Sequence, residues 1–256
     1  MTNPFHEANR KGWDAVSKRW QADPALEEVR RRCIQDPSLA LGELELRYLG
    51  EVRGKRIAVL GSGDHLVVFA LAGMGAQVTS VDISQVQLDE AARRAEELGL
   101  KGIAFLRADV TDLSVLKDGA FDIVYTGGHV AIWVSDLRRF YREGARILKR
   151  DGLFLVNEYH PFRRVWADVP DRLEIGYPYY HRGPYVWDRA EEVPGAEPGS
   201  LTSYEYHWTV EDYVAALLES GCRLKALHEW GARSQTWEIA PVRDLPEWLL
   251  LVGVKE

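Results

Sequence analysis

The chain has 256 residues, 46% hydrophobic and 28% charged, the composition of an ordinary globular protein with one sizeable core. Its 32 basic and 39 acidic residues leave a formal net charge of −7, which argues against nucleic acid or an anionic membrane surface as the main partner. Cys33 and Cys222 are too few for a disulfide framework and lack metal-ligand spacing, so a reducing, cytoplasmic setting and no metal site are expected.

The polar N-terminus, MTNPFHEANRKGWD, has no signal-peptide pattern, and no apolar run approaches the roughly 20 residues of a membrane helix. Residues 5–49 read as helical. Trp13, Val16 and Trp20 share one face, Pro24 and Pro37 interrupt the run, and Leu41, Leu44 and Tyr48 form a second stripe. Arg30–Arg32 reads as a solvated helix face.

From Arg56 the pattern becomes alternating strand and helix. Residues 56–60 (RIAVL) are a short apolar strand, followed by the glycine turn GSGD and an apolar helix over about 65–73. Residues 78–82 (VTSVD) are a second strand ending in an acid. Ser84 and Gln87 have capping-box spacing and open a helix. Residues 103–107, 121–126 and 153–159 supply three more strands, with a helix capped by Ser135 before the last. This alternation predicts a doubly wound α/β sheet, parallel through its core, with helices on both faces and the ligand at the carboxyl ends of the strands. Those ends hold Gly61–His65, Asp82–Ser84, Asp109–Val110, Thr126–His129 and Glu158–His160.

Residues 160–208 break the alternation with six prolines and many aromatics. Residues 185–188 and 202–208 read as two arms of a hairpin around a polar tip. A helix over 209–220 and strands over 223–230 and 248–254 complete the chain.

The Gly61–Ser62–Gly63 turn brings backbone close to a ligand and aims helix N–H groups at it. Asp82, about 20 residues on, is placed to accept both ribose hydroxyls of a nucleoside cofactor; the alternative is a helix-capping acid before Ser84. A dinucleotide fingerprint would need glycine where Leu66 stands, which counts against NAD(P). Asp109 is placed to accept from an adenine amine; the alternative is a turn-forming acid before Thr111.

Together these segments resemble the class I S-adenosylmethionine-dependent methyltransferases over about residues 56–160. VLGSGD stands for the family's glycine motif, VTSVDIS for its ribose-binding acidic motif and RADVTDL for its adenine-binding motif. The resemblance implies a Rossmann-like seven-stranded sheet, its last strand antiparallel, in a single domain over 1–256. Its parts would be a helical cap (1–50), a cofactor-binding core (51–160), a substrate-cover insertion (161–208) and a C-terminal helix with strands (209–256). It further implies S-adenosylmethionine as cofactor, S-adenosylhomocysteine as product, and a small-molecule acceptor attacking through oxygen or nitrogen. The cofactor residues would be Gly61, Ser62, Gly63, Asp82, Ile83, Gln87, Asp109, Val110, Thr126 and Trp20. Two positions depart from the family: Val59 replaces an acid two residues before the first glycine, and His65 replaces a favoured glycine.

Methyl transfer from a sulfonium needs alignment and dryness, and a base only if the nucleophile arrives protonated. His129 and His160 are the candidate bases, against loop histidines bonded to backbone. Glu158 is a candidate for holding a substrate amine, against a salt bridge at the strand end. Trp13 and Trp20 are candidates for a cation–π contact with the sulfonium, against plain packing. Tyr179, Tyr180, His181 and Trp187 are expected in the acceptor pocket's wall; the alternative for the insertion is a dimerisation arm, and with it a homodimer. A non-catalytic cofactor-binding module and a nicotinamide-linked oxidoreductase stand as alternative functions.

Overall fold

A computed structural model of the chain describes residues 3–21, 24–231 and 240–256, without the side chains of 18–21, 24 and 25. The N-terminal section holds three helices, α1 (Pro4–Gln21), α2 (Pro24–Arg32) and α3 (Glu43–Leu49). The alternating section follows as β1 (Arg56–Leu60), α4 (Leu66–Gly73), β2 (Gln77–Asp82), α5 (Gln85–Glu97), β3 (Ile103–Arg107), β4 (Phe121–Gly127), α6 (Leu137–Ile147) and β5 (Leu148–Tyr159). The hairpin β6 (Tyr185–Asp188) and β7 (Thr202–Glu205) comes next, then α7 (Val210–Glu219), β8 (Cys222–Trp230) and β9 (Trp248–Lys255). No helix among the described residues is long and apolar enough to cross a membrane.

Seven strands form one sheet in the order β3-β2-β1-β4-β5-β9-β8. The first five are parallel, and β9 runs antiparallel to both of its neighbours. The expected seven-stranded architecture is therefore present. Its order reverses direction between β1 and β4, which opens the crevice in which such sheets hold ligands.

Apolar strands need cover on both faces, and they receive it. One core packs Phe140, Tyr141 and Ala145 of α6 and Leu217 of α7 against Leu60, Val124, Phe154 and Leu251. The other packs α4, whose residues from Val67 to Ala72 are all buried, with Cys33, Leu49, Ala91 and Ala95 against Ile57, Val59 and Leu155. Val59 thus lies in the apolar layer beneath α4, where a carboxylate would be costly to bury.

Several local expectations are corrected. Helix α6 is capped by Asp136, which accepts from the Arg139 N–H at 2.9 Å, and not by Ser135. Strand β5 begins at Leu148, with an irregularity that carries the register from Phe121↔Leu148 to Ile123↔Leu153. Arg30 is buried beside Asp64, while Arg31 and Arg32 remain exposed.

The expected hairpin is formed, with Tyr185 opposite Glu205 and Asp188 opposite Thr202. It packs against α1. Gly12 lets the helix come close there, since a Cβ at that position would lie 2.7 Å from Ser203 Oγ. A buried ion pair, Arg163–Glu247, ties the start of the insertion to the approach to β9, and Arg164–Glu205 joins that start to the hairpin's second strand.

Candidate active site

A cavity of about 380 Å³ opens at the carboxyl ends of β1, β2, β3 and β4, and α1 forms its roof. The floor comes from chain turns that only certain residues permit. Gly61 and Gly128 line it with φ of +67° and +75°, a region most side chains avoid. A Cβ at Gly61 would stand 2.4 Å from Val130 Cγ1, so this turn tolerates no side chain without rearrangement.

Asp82 ends β2 inside the cavity. One oxygen accepts the Gly63 N–H and the other the Ser84 N–H, each at 2.7 Å. Burial pushes its carboxyl up from 3.8 to about 6, against the opposing effect of those amides. Gln87, in the first turn of α5, lies over Gly63, and Ile83 and Val110 add apolar wall.

Asp109 ends the β3 segment and is held from two sides. Its Oδ1 accepts from the Thr111 N–H at 2.9 Å and the Thr111 hydroxyl at 2.8 Å, and its Oδ2 lies 2.6 Å from His6 Nδ1. The Ser135 N–H donates to His6 Nε2 at 2.9 Å, which fixes the tautomer: the proton is on Nδ1 and points at Asp109. Burial works to raise the Asp109 carboxyl, but the His6 and Thr111 bonds hold it below its ordinary value.

The roof is a polar stripe. His6, Asn9, Trp13 and Ser17 recur at spacings of three and four on α1 and all face the cavity. Asn9 donates to the carbonyls of Trp133 at 3.0 Å and Tyr204 at 2.8 Å, and accepts from the Tyr204 N–H at 2.6 Å. Trp13 meets Trp133 edge-on at 5.4 Å, and the Arg189 guanidinium lies over the Trp13 ring at 4.2 Å. One face of Trp13 is therefore already covered by a cation from the hairpin.

The structure gathers Gly61, Ser62, Asp82, Ile83, Gln87, Asp109, Val110 and His129 around this cavity. Gly63 supports it through its amide without lining it, and Thr126 is fully buried in β4, also outside the lining. The side chain of Trp20 lies outside the described residues.

The three proposed catalytic groups separate. His129 sits on the cavity wall with a φ of +78°. Arg164 Nη2 donates to its Nδ1 at 3.1 Å, so a neutral ring carries its proton on Nε2 and offers no lone pair to a substrate. Burial, with Arg164 and Arg163 nearby, holds the ring well below the ordinary histidine range. Glu158 lies beneath, buried, accepting from the Ala131 N–H at 3.1 Å, and burial raises its carboxyl to about 7. It anchors the loop that carries His129. His160 faces elsewhere: its Nε2 is 2.7 Å from Glu229, and its Nδ1 accepts from the Phe162 N–H at 3.1 Å.

Tyr179, Tyr180, His181 and Trp187 do not line the cavity. The Tyr179 hydroxyl accepts from the Val210 N–H at 3.2 Å, and His181 lies 3.0 Å from the Tyr185 hydroxyl. Tyr180 and Trp187 are exposed on the outer side of the insertion. The insertion reaches the site through Arg164, which holds His129, and through the hairpin, which pins α1. His65, at the position where a glycine was expected, caps α4 by accepting from the Val67 N–H at 3.3 Å.

Sequence reasoning missed His6, Asn9, Ser17 and Trp133, read Arg30 as part of a solvated face, and placed Asp64 in the strand-end segment without a role of its own. The helical period of His6, Asn9, Trp13 and Ser17 was a usable signal. The contact of Arg30 with Asp64, across a turn and a strand, left none.

Comparison with known proteins agrees with this geometry. Residues 59–156 match the family model described as a methyltransferase domain. The chain is 31% identical over 231 residues to an uncharacterized methyltransferase, YbaJ, of Bacillus subtilis, covering 86% of this chain and 89% of that one. It is 30% identical over 156 residues to a ubiquinone biosynthesis O-methyltransferase of Xanthomonas euvesicatoria, covering 59% of this chain and 61% of the enzyme. The crystal structure of an S-adenosylmethionine-dependent methyltransferase from Mesorhizobium loti superposes with a TM-score of 0.63 at 25% identity, covering 82% of this chain and 95% of that one.

Proposed function

The chain belongs to the class I S-adenosylmethionine-dependent methyltransferases, and from that premise we propose that its acceptor is a small organic molecule methylated on oxygen or nitrogen. Membership in this family sets aside the nicotinamide alternative. The observation that carries the reading is the cavity itself: an acid at the end of β2 behind a glycine turn at the end of β1, under a helix that closes over both.

The residues present fit the cofactor. A carboxylate has about four lone-pair sites. Asp82 uses some on backbone amides and keeps capacity for ribose hydroxyls. Asp109 has three donors in place and keeps a site on Oδ2, which we assign to the adenine amine beside Val110. Gly61 and Gly128 let backbone approach the sugar and sulfur without a Cβ in the way.

When bound, S-adenosylmethionine supplies a methyl group on a sulfonium that a nucleophile displaces in line. The chain's own contribution is position and dryness. Alignment of this kind is worth on the order of 7–11 kcal/mol. The α1 roof, the Trp13–Trp133 pair and the apolar wall of Val130 and Val134 keep water from the reacting atoms. The Nδ1 of His129 accepts from Arg164, so its lone pair is engaged and the ring is not assigned as a base. We therefore assign the reaction to a nucleophile that reaches the site already deprotonated, a phenolate or a neutral amine, so that the chain need not take up a proton during the transfer. The name of the Xanthomonas relative supports a hydroxyl-bearing acceptor, and the modest cavity supports a small, partly apolar one.

The test is release of S-adenosylhomocysteine from S-adenosylmethionine across a panel of phenols, catechols and amines. Acceptor-dependent release supports the proposal. Tight cofactor binding with no release on any member favours the binding-module alternative. The homodimer expected from the insertion rests on its exposed Tyr180, Val186 and Trp187, and light scattering of the intact chain decides it.

A further inference from the structure

The hairpin of β6 and β7 stands apart from the main sheet as a two-stranded ribbon. Such ribbons are marginal by themselves and gain from a further strand or a covering element. One edge has its cover. Tyr204 of β7 turns its N–H and its carbonyl outward, and Asn9 of α1 bonds both, at 2.6 and 2.8 Å. The Tyr206 N–H donates to the Ile132 carbonyl at 2.7 Å. The other edge is open. Val186 stands opposite Tyr204, so its N–H and carbonyl point the other way, out from β6. The Arg189 N–H donates inward to the Leu201 carbonyl at 2.9 Å, which fixes the same phase: odd positions face β7, and Val186 and Asp188 face out. Among the described residues, none bonds the N–H or carbonyl of Val186 or the N–H of Asp188.

Free edges usually carry a charge that keeps other strands away. The edge strands of the main sheet do: β3 ends in the exposed Arg107, and β8 carries the exposed Arg223 and Lys225. Strand β6 does not. Its Tyr185, Val186 and Trp187 are uncharged, with Val186 63% and Trp187 39% exposed. Its one acid, Asp188, is turned back, accepting from the Ala190 N–H at 3.0 Å and the Gly199 N–H at 2.5 Å. An edge of this kind is complemented by another strand. A second copy supplies one of the right length, and a two-fold axis brings the two β6 edges together antiparallel. An axis at Asp188 would set two acids face to face, and one at Val186 would put Pro184, which has no N–H, in the ladder. With the axis at Trp187, Val186 of each copy meets Asp188 of the other. Both outward groups of each residue are then bonded, and no like charges face each other. The two Trp187 rings extend the cluster that Trp187 and Tyr185 form with Tyr177.

We propose that β6 pairs antiparallel with β6 of a second copy about a two-fold axis at Trp187, joining two hairpins into one four-stranded sheet. The proposal rests on the homodimer reading above and gives it a face and a register. It also bears on the site. The hairpin that pins α1 by its β7 edge is braced at its β6 edge, so the roof of each cavity has the other copy behind its anchor.

Light scattering, amide exchange and cross-linking of the intact chain test the pairing. The wild type should scatter as a dimer, and the Val186 and Asp188 amides should exchange more slowly as concentration rises. Val186→Lys places a charge on the edge, as in β3 and β8, and Val186→Pro removes an N–H that the hairpin itself does not use. Each should halve the scattered mass while the thermal melt stays cooperative, which reports a folded chain. In Trp187→Cys the two thiols face each other across the axis, at the Cα spacing of about 4.5 Å of a non-hydrogen-bonded pair, within reach of a disulfide. Mild oxidation should link this variant into a covalent dimer and leave Val115→Cys, exposed elsewhere, unlinked; the native Cys33 and Cys222 are both buried. A dimer that persists in both Val186 variants, or that leaves Trp187→Cys unlinked, overturns the β6 pairing while the homodimer reading stands. A wild type that is monomeric at every concentration overturns both.

Discussion

Lowering the pH should loosen the cofactor through one carboxylate, Asp82. Its side chain is 8% exposed, and burial lifts its carboxyl from 3.8 to about 6 despite the Ser84, Gly63 and Ile83 amides. Ribose hydroxyls donate to the ionised form, so binding favours the carboxylate and holds the proton off. At about pH 5 only about a tenth of the unliganded Asp82 is ionised, so affinity should be about tenfold weaker than at about pH 7.5. S-adenosylhomocysteine is the suitable titrant, because its ammonium and carboxylate keep their charges across this window. Isothermal titration at the two pH values should show the slope in wild type. Asp82→Asn should bind weakly and equally at both. A flat wild-type profile, or a slope that survives in Asp82→Asn, refutes the assignment of Asp82 to the ribose. Stability of the unliganded chain runs the other way. A carboxyl raised in the folded state contributes stability that is fully present below 3.8 and is lost as pH rises through about 6. The interval, 6 minus 3.8, is about 2.2 pH units and corresponds to at most about 3 kcal/mol. Ligand-free thermal melts should therefore gain from this group on acidification, while the stabilisation added by S-adenosylhomocysteine shrinks.

Gly61→Ala should lower cofactor affinity and cost about 1–3 kcal/mol, because φ is +67° there and the added carbon meets Val130; calorimetry and thermal melting together check this. Asn9→Ala strips three hydrogen bonds from a buried junction between α1 and β7, and should speed amide exchange in residues 4–17 while β1 to β5 stay protected. Equal exchange in both variants of that comparison would show that Asn9 does not hold the roof. Glu247→Gln leaves Arg163 buried without its carboxylate and should cost about 3–5 kcal/mol in denaturant unfolding, with cofactor affinity in the surviving folded fraction unchanged.

The sheet was legible because its central strands, β1 and β4 above all, are short apolar runs bounded by glycine, acid or turn residues, and such runs have few other ways to bury both faces. The antiparallel run of the last strand came from the family resemblance, which residues 223–230 and 248–254 fitted, and not from the apolar pattern itself. The strand-end side of the cavity was legible for a related reason: Asp82 and Asp109 stand at strand ends, and the sheet brings strand ends together. The roof was not. Trp13 and Trp20 drew attention by size, whereas His6 and Asn9 earn their place through Asp109, Ser135 and the Tyr204 backbone, partners that no local pattern reveals. The insertion shows the limit most clearly. Its aromatic residues fitted a pocket wall, but Tyr179 turns to α7 and the hairpin presents its Ser203 and Arg189 to α1 instead. Composition told that the segment would be stiff, and the contacts decided what it would press upon.

The helix that roofs the cavity precedes part of its anchor by a long stretch of chain. Asn9 bonds to Tyr204, 195 positions further on, and Trp13 lies under Arg189. A chain folded only as far as β5 already offers α1 the Asp109, Ser135 and Trp133 contacts, but lacks the Tyr204 and Arg189 contacts that cover the helix from its other side. Closure of the site is thus a long-range event, which places it late in folding behind the more local strand–helix units. The cavity's roof is completed only when α1 meets the hairpin, so the competence to enclose a ligand reports that two segments about 200 positions apart have found each other.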